Sequence, residues 1–524
     1  MPRVKKSQAD ASPLTTAQRL GTIIKSARKI MRKDKGLSGD LDRLPMLTWI
    51  MFLKFLDDME LAREQAAALA PKERYVPAIE APYRWRDWAA DPTGLTGPDL
   101  LAFITNEQIA LPGSGGKKRG PGLFAYLRAL QTVKGAERRE VIANIFSRVQ
   151  NRMESGYLLR EVINKIHEIH FQSSEEISTL GHLYESMLRE MRDAAGDSGE
   201  FYTPRAVVRF IVEVMDPRLG ETVLDPACGT GGFLAGAFDH LKRQCRTVQE
   251  RAQLQRESIY GGEPKPLPYL LVQMNLLLHG LESPQIDPLN SLRHKLGDIS
   301  DSQRVDVILT NPPFGGEEER GIAANFPSDR RTAETALLFL QLIMRRLRKV
   351  PTPGRAAVVV PQGTLFADGV SARIKEDLLK NFNLHTIVRL PQGVFAPYAD
   401  IPTNILFFER GGPTRTIWYY ELPLPAGRRG YTKTMPMRYE DFADCLAWWK
   451  KRKEGERAWK ATAAQVLKYD AKGNLLACNL DIKNPKAIVD EAEHLPPAAL
   501  IRRIVERERE VARLMGEIEE MVGA

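Results

Sequence analysis

From residue 222 the chain reads Thr222-Val223-Leu224-Asp225-Pro226-Ala227-Cys228-Gly229-Thr230-Gly231-Gly232-Phe233-Leu234-Ala235. This is an apolar strand, a glycine-rich turn and the start of an amphipathic helix. Gly229, Gly231 and Gly232 let the backbone turn sharply and approach a ligand without a Cβ in the way. A strand–turn–helix of this kind belongs in alternating α/β architecture, with ligands beyond the carboxyl ends of parallel strands. The turn lacks the G-x-G-x-x-G by which a dinucleotide fold seats pyrophosphate on a helix N-terminus, which argues against a nicotinamide dinucleotide. Glu263 ends the next apolar run, Ser258-Ile259-Tyr260-Gly261-Gly262-Glu263. It comes later than the roughly 20 residues of a dinucleotide fold, and a long polar helix, KRQCRTVQERAQLQRE, is expected to fill the interval. Its carboxylate suits the paired hydroxyls of a ribose.

A second segment follows a strand in the same way: Val305-Asp306-Val307-Ile308-Leu309-Thr310, then Asn311-Pro312-Pro313-Phe314. The exocyclic amine of adenine or cytosine is a poor nucleophile because its lone pair is delocalised into the ring. Two acceptors on its N–H groups favour pyramidalisation, and the side-chain oxygen of Asn311 and the carbonyl of Pro312 are suited to supply them. Two prolines make that backbone stiff, and Phe314 offers a ring for a base that has left its duplex.

Together these segments resemble the cofactor and catalytic motifs of amino-group DNA methyltransferases, and the whole chain is similar to the modification subunits of type I restriction–modification systems. Three further stretches carry the likeness: Gly199-Glu200-Phe201-Tyr202-Thr203-Pro204-Arg205, Met274-Asn275-Leu276-Leu277-Leu278-His279-Gly280, and Pro391-Gln392-Gly393-Val394-Phe395-Ala396-Pro397-Tyr398 with Pro402-Thr403-Asn404-Ile405-Leu406-Phe407-Phe408. The order of motifs is that of the γ group. The resemblance implies an S-adenosylmethionine-dependent adenine-N6 DNA methyltransferase with catalytic Asn311, Pro312, Pro313 and Phe314. It also implies cofactor contacts from Glu200, Phe201, Tyr202, Thr203, Pro204, Arg205, Asp225, Ala227, Gly229, Thr230, Gly231, Gly232 and Glu263. For the cofactor's adenine amine Asn290 is aligned, with Asp298 competing. The segment PKPLPYLL after Glu263 departs from the family pattern. No metal is expected.

The implied partners are double-stranded DNA, a specificity subunit, a restriction/translocase subunit and a second copy of the chain. No Walker P-loop and no target-recognition segment is apparent, so sequence choice is expected from the specificity subunit. The alternatives are a single-chain or orphan adenine methyltransferase and, further off, an enzyme acting on RNA or protein glutamine.

The remaining text sets the organisation. The expected fold is α/β, an S-adenosylmethionine-dependent methyltransferase fold with a mostly parallel Rossmann-like sheet, an all-α N-terminal domain and a helical C-terminal tail. Residues 1–15 read as a disordered basic arm, 16–172 as the helical domain, 173–411 as the methyltransferase domain, 412–496 as an extension and 497–524 as a helix for partner contact. Strands are expected at 222–224, 258–260, 305–310, 356–360, 384–390 and 403–409. Helices are expected at 18–31, 45–56, 334–348 and 441–460. Ser328-Asp329-Arg330-Arg331 reads as a mobile loop over the flipped base, and Arg345, Arg346, Arg348 and Lys349 as a solvated helix end or a DNA contact. The loop PYRWRDW either meets DNA or anchors its own domain, and GSGGKKRG either touches phosphates or is solvated.

A net charge of +9 over 524 residues favours a polyanionic partner. Cysteines at 228, 245, 445 and 478 form neither a disulfide framework nor a zinc pattern; Cys228 reads as a packing residue. No long apolar run and no signal peptide appear, so a cytoplasmic location is expected.

Overall fold

The computed structural model describes residues 15–522 apart from 70–74, 114, 116, 131–136, 172–173, 195–201, 319, 397–400, 426, 433 and 487–496. The basic arm, Glu200 and Phe201 therefore lie outside the described residues.

The helical front begins with Thr16–Met31, where Thr15 and Gln18 form a capping box and Leu20, Ile23, Ile24, Ala27 and Met31 face inward. The next helix, Asp40–Leu69, is far longer than the apolar run 45–56, and Pro45 sits within it near its start. The Trp/Arg loop anchors its own domain. Trp85 and Trp88 are buried, Trp85 Nε1 donates to His167 Nδ1 at 3.0 Å, and Arg86 is held by Asp57 and Glu64 at 2.9 and 2.7 Å. Residues Ile109–Ala110 and Arg119–Gly120 pair as a short antiparallel ribbon around the Gly/Lys loop.

Behind this front lies a nine-stranded sheet: β1 Val223–Asp225, β2 Ile259–Gly262, β3 Gln285–Asp287, β4 Val307–Thr310, β5 Arg355–Pro361, β6 Asn383–Arg389, β7 Thr403–Glu409, β8 Thr416–Glu421 and β9 Ala458–Thr462. Their spatial order is β9-β8-β6-β7-β5-β4-β1-β2-β3. The half from β5 to β3 is parallel, as is β6–β8. Strand β7 runs antiparallel between β5 and β6, and β9 antiparallel to β8. The sheet is thus mixed, and it does not end at residue 411: β8 and β9 extend it into the segment expected to be a separate extension. One continuous apolar core joins the front helices to one face of the sheet, and a second covers the other face.

Several expected elements resolve differently. The amphipathic helix after the glycine turn is Gly232–Lys242, and the polar helix forms only over Val248–Glu257, started by a Thr247/Glu250 capping box. The helix expected at 441–460 ends at Lys450, because Trp459 and Ala461 are buried in β9. Strand β3 is too short and too polar to show a period. Two of the three unusual prolines, Pro266 and Pro268, open the helix Pro266–His279, where a missing N–H costs nothing.

The expected mobile loop is pinned. Arg330 is paired with Asp377, its carbonyl accepts from Gln341 at 3.1 Å, and Arg373 donates to Asp329 O at 3.0 Å. Of the basic helix end, Arg345 donates to Ile299 O at 2.5 Å, Arg348 pairs with Asp306 at 2.9 Å and Lys349 with Asp301 at 3.1 Å. These three side chains are engaged within the protein. Among the described residues, no helix is long and apolar enough to cross a membrane.

Candidate active site

The carboxyl ends of adjacent strands β1 and β4 bring the two segments together. Asp225, the last residue of β1, is buried, and its Oδ1 accepts from Thr310 Oγ1 at 2.6 Å and from Ala227 N–H at 3.1 Å. Thr310 is the residue before Asn311, so this bond ties the glycine turn directly to the Asn-Pro-Pro-Phe segment. Burial raises the Asp225 carboxyl to about 7 against those two donors.

A cleft opens above this tie. Of the residues expected in the site, Thr203, Asp225, Ala227, Gly229, Gly232, Glu263, Asn290, Asn311 and Pro313 line it. Glu263 follows β2 directly; its two oxygens accept from Gly229 N–H at 3.0 Å and Lys265 N–H at 2.9 Å. Burial raises its carboxyl to about 7, partly opposed by those amides. Asn290 lines the cleft and donates to Glu318 at 3.2 Å, whereas Asp298 lies in a short 3-10 turn and is not part of the cleft wall.

The other expected residues stand behind the wall. Gly231 has φ +78°, and a Cβ there would lie 2.5 Å from Val272 Cγ2. Thr230 is buried, its carbonyl held by Asn275 Nδ2 at 2.9 Å; this gives the Met-Asn…His-Gly helix its bearing on the turn. Pro204 caps the helix Arg205–Met215. Arg205 donates to Gly232 O at 3.0 Å and pairs with Glu185, so it braces the turn and does not line the cleft. Tyr202 is buried beside it. Cys228 is buried, with its thiol raised well above the ordinary value by burial, as suits a packing residue.

Asn311 carries the most telling geometry. Its Nδ2 donates to Thr203 Oγ1 at 3.2 Å, while its Oδ1 is buried and without a hydrogen-bond partner. An orphaned acceptor costs about 1–3 kcal/mol, and such atoms concentrate where a ligand completes them. Pro312 is buried, and Phe314 lies outside the cleft wall, edge-on to Phe395 with ring centroids 5.3 Å apart. Lys265, Ser291, Glu318 and Phe339 also line the cleft and were not anticipated. Phe339 lies in an apolar helix whose periodicity does not mark it; Ser291, beside Asn290, was the one within reach.

The matches to known proteins agree with this arrangement. The N-6 DNA Methylase family model matches residues 175–483, and the HsdM N-terminal domain model matches residues 20–166. The fold and site therefore define an adenine-type amino-methyltransferase class. Within that class the chain belongs to the family of type I restriction-enzyme methylase subunits. It is 44% identical to the EcoEI methylase subunit of Escherichia coli over 96% of this chain and 98% of that one. It is 30% identical to the StySPI methylase subunit of Salmonella potsdam over 63% and 62% of the two chains. A modification subunit of an inferred type I restriction enzyme from Vibrio vulnificus YJ016 superposes with a TM-score of 0.83 at 66% identity, covering 91% of this chain and 99% of that one. A chain from a study of type I complex assembly and conformational transition gives 0.76 at 38% identity, covering 97% and 99%.

Proposed function

We propose that this subunit transfers a methyl group from S-adenosylmethionine to the N6 amine of an adenine flipped out of DNA, at a site chosen by a separate specificity subunit. Bound S-adenosylmethionine supplies an electrophilic methyl on sulfur. The cleft suits it by its donor set: a carboxylate for the ribose at Glu263, an amide for the adenine at Asn290, and a glycine turn with no phosphate-binding pattern. Thr203 holds Nδ2 of Asn311, so Oδ1 is left to accept one N–H of the target amine. Pro312 O accepts the other. Held this way, the amine's lone pair points across the cleft, and Phe314 offers a face to the flipped base. The observation that carries the reading is the buried, unpartnered Asn311 Oδ1 beside the glycine turn.

The subunit works in the cytoplasm in a complex with a specificity subunit, a second methylating subunit and, for restriction, a nuclease–translocase. The test is methyl incorporation into DNA by the chain reconstituted with its specificity subunit. Asn311→Ala should lower the rate at least ~100-fold while calorimetry finds cofactor affinity retained. A near-normal rate would remove Asn311 from the reaction. Site-specific methylation by the isolated chain would favour the single-chain reading instead.

A further inference from the structure

The crossover from β3 to β4 passes over β2 and β1 through residues 288–306, with only 3-10 turns at Leu296–Asp298 and Asp301–Gln303. Parallel strands are ordinarily joined by a helix that covers the sheet face beneath it. Here the crossover supplies no helix, and a cavity of about 590 Å³ lies under it. It extends from the sheet to Glu140 and Asn144 on the front helix Glu137–Phe146. It is separate from the cofactor cleft: Ser291 Oγ donates to Pro226 O at 2.7 Å, forming the shared wall. Gly262 permits that contact, since a Cβ there would lie 2.3 Å from Ser291 Oγ.

Arg346, the last residue of the helix Thr335–Arg346, lines this cavity. Its Nε is buried and unpartnered, and among the described residues its guanidinium makes no hydrogen bond or ion pair. Its neighbours in sequence are spoken for: Arg345 by carbonyls and Arg348 by Asp306. The carboxylate it feels is Asp287, which Arg293 already holds at 2.5 Å. A buried Nε left without an acceptor is costly unless a ligand supplies one. Arg293, His294 and the Tyr260 side chain also line the cavity, and Leu224, Ile286 and Leu342 give it an apolar wall. A planar guanidinium with further donors nearby matches a phosphate monoester, and the apolar wall matches an organic body attached to it.

We propose that this cavity binds a small organic phosphate of nucleotide size, with Arg346 on the phosphate. Because the cavity is walled by the sheet and by the front helix Glu137–Phe146, its occupant would tie the front to the edge of the sheet that holds Glu263. The site is independent of the methyl-transfer reading, and the test keeps the two apart by filling the cofactor cleft first with S-adenosylhomocysteine. Failure of that step would count against the cofactor cleft alone.

With the cleft filled, titration of the full chain with adenosine monophosphate should raise the melting temperature by at least about 1 °C, and should bind at least about tenfold more tightly than inorganic phosphate. Arg346→Leu should abolish the effect and leave the unliganded chain no less stable, because no protein partner is lost. Arg346→Lys keeps the charge but not the fork and should weaken binding, as a second route if the leucine variant does not fold. Lys349→Gln, a surface charge at the same helix end, should leave binding intact. No response to adenosine monophosphate, equal affinity for inorganic phosphate, or unchanged binding in Arg346→Leu would each overturn the proposal.

Discussion

Glu263 shows how one carboxyl meets two opposed demands. Burial raises it to about 7, so the folded chain holds a proton that the unfolded chain releases at ordinary carboxylate pH. Its contribution to stability is fully present below the unfolded value and is lost as pH rises through about 7. In the proposed site ribose hydroxyls donate to the ionised form, so cofactor affinity should run the other way. Between about pH 6 and about pH 8 the melting temperature of the unliganded chain should fall while S-adenosylmethionine binding tightens several-fold. Glu263→Gln should flatten the affinity profile by calorimetry and part of the stability slope, the rest belonging to Asp225. A pH-independent affinity in the wild-type chain would remove Glu263 from the ribose. Asn311 shows the complementary arrangement: its amide nitrogen is fixed by Thr203 and its oxygen left orphaned, the acceptor that the proposed reaction assigns to the target amine.

At the scale of elements, the glycine turn is held from two helices. Asn275 of Pro266–His279 holds Thr230 O, Arg205 of Arg205–Met215 holds Gly232 O, and Val272 packs against Gly231. His279 links the first of these to the helices Ser174–Ala194 and Gly232–Lys242: burial alone would lower its pKa, but hydrogen bonds to Asp239 and Glu185 raise it to about 9. Glu185 in turn pairs with Arg205. Gly231→Val should therefore fail twice over, through a left-handed φ that a β-branched residue resists and through overlap with Val272. The expected loss is about 2–4 kcal/mol of stability together with cofactor binding, measured by denaturation and calorimetry. A stable variant that still binds would show that the turn can relax. The three stretches outside the core motifs were legible as a family likeness, but their work was not: the first two brace the glycine turn through Arg205 and Asn275, and the third sets Phe395 against Phe314.

For the whole molecule, the open question is what the last helix meets. Pro497–Val522 leaves Val505, Val511, Leu514 and Met515 exposed, apolar side chains that suit a seam with a partner helix. Deleting residues 497–524 should impair assembly with the specificity subunit in gel filtration while leaving cofactor affinity unchanged. Normal co-elution would locate the contact elsewhere.

The sequence alone determined the methyltransferase class, the order of its motifs and most strands of the sheet. The class and motif order follow from the family resemblance, and the strands from short-range physics: glycines where a turn needs them and apolar runs of strand length. Tertiary structure alone decided the rest. It placed Thr310 on Asp225, assigned Arg205 to bracing the turn, carried the sheet on through β8 and β9, buried Trp85 and Trp88, and engaged three of the four basic residues near 345–349 while leaving Arg346 facing a cavity. Each of those depends on which distant residue arrives opposite, and a local pattern of polarity or period carries no record of that.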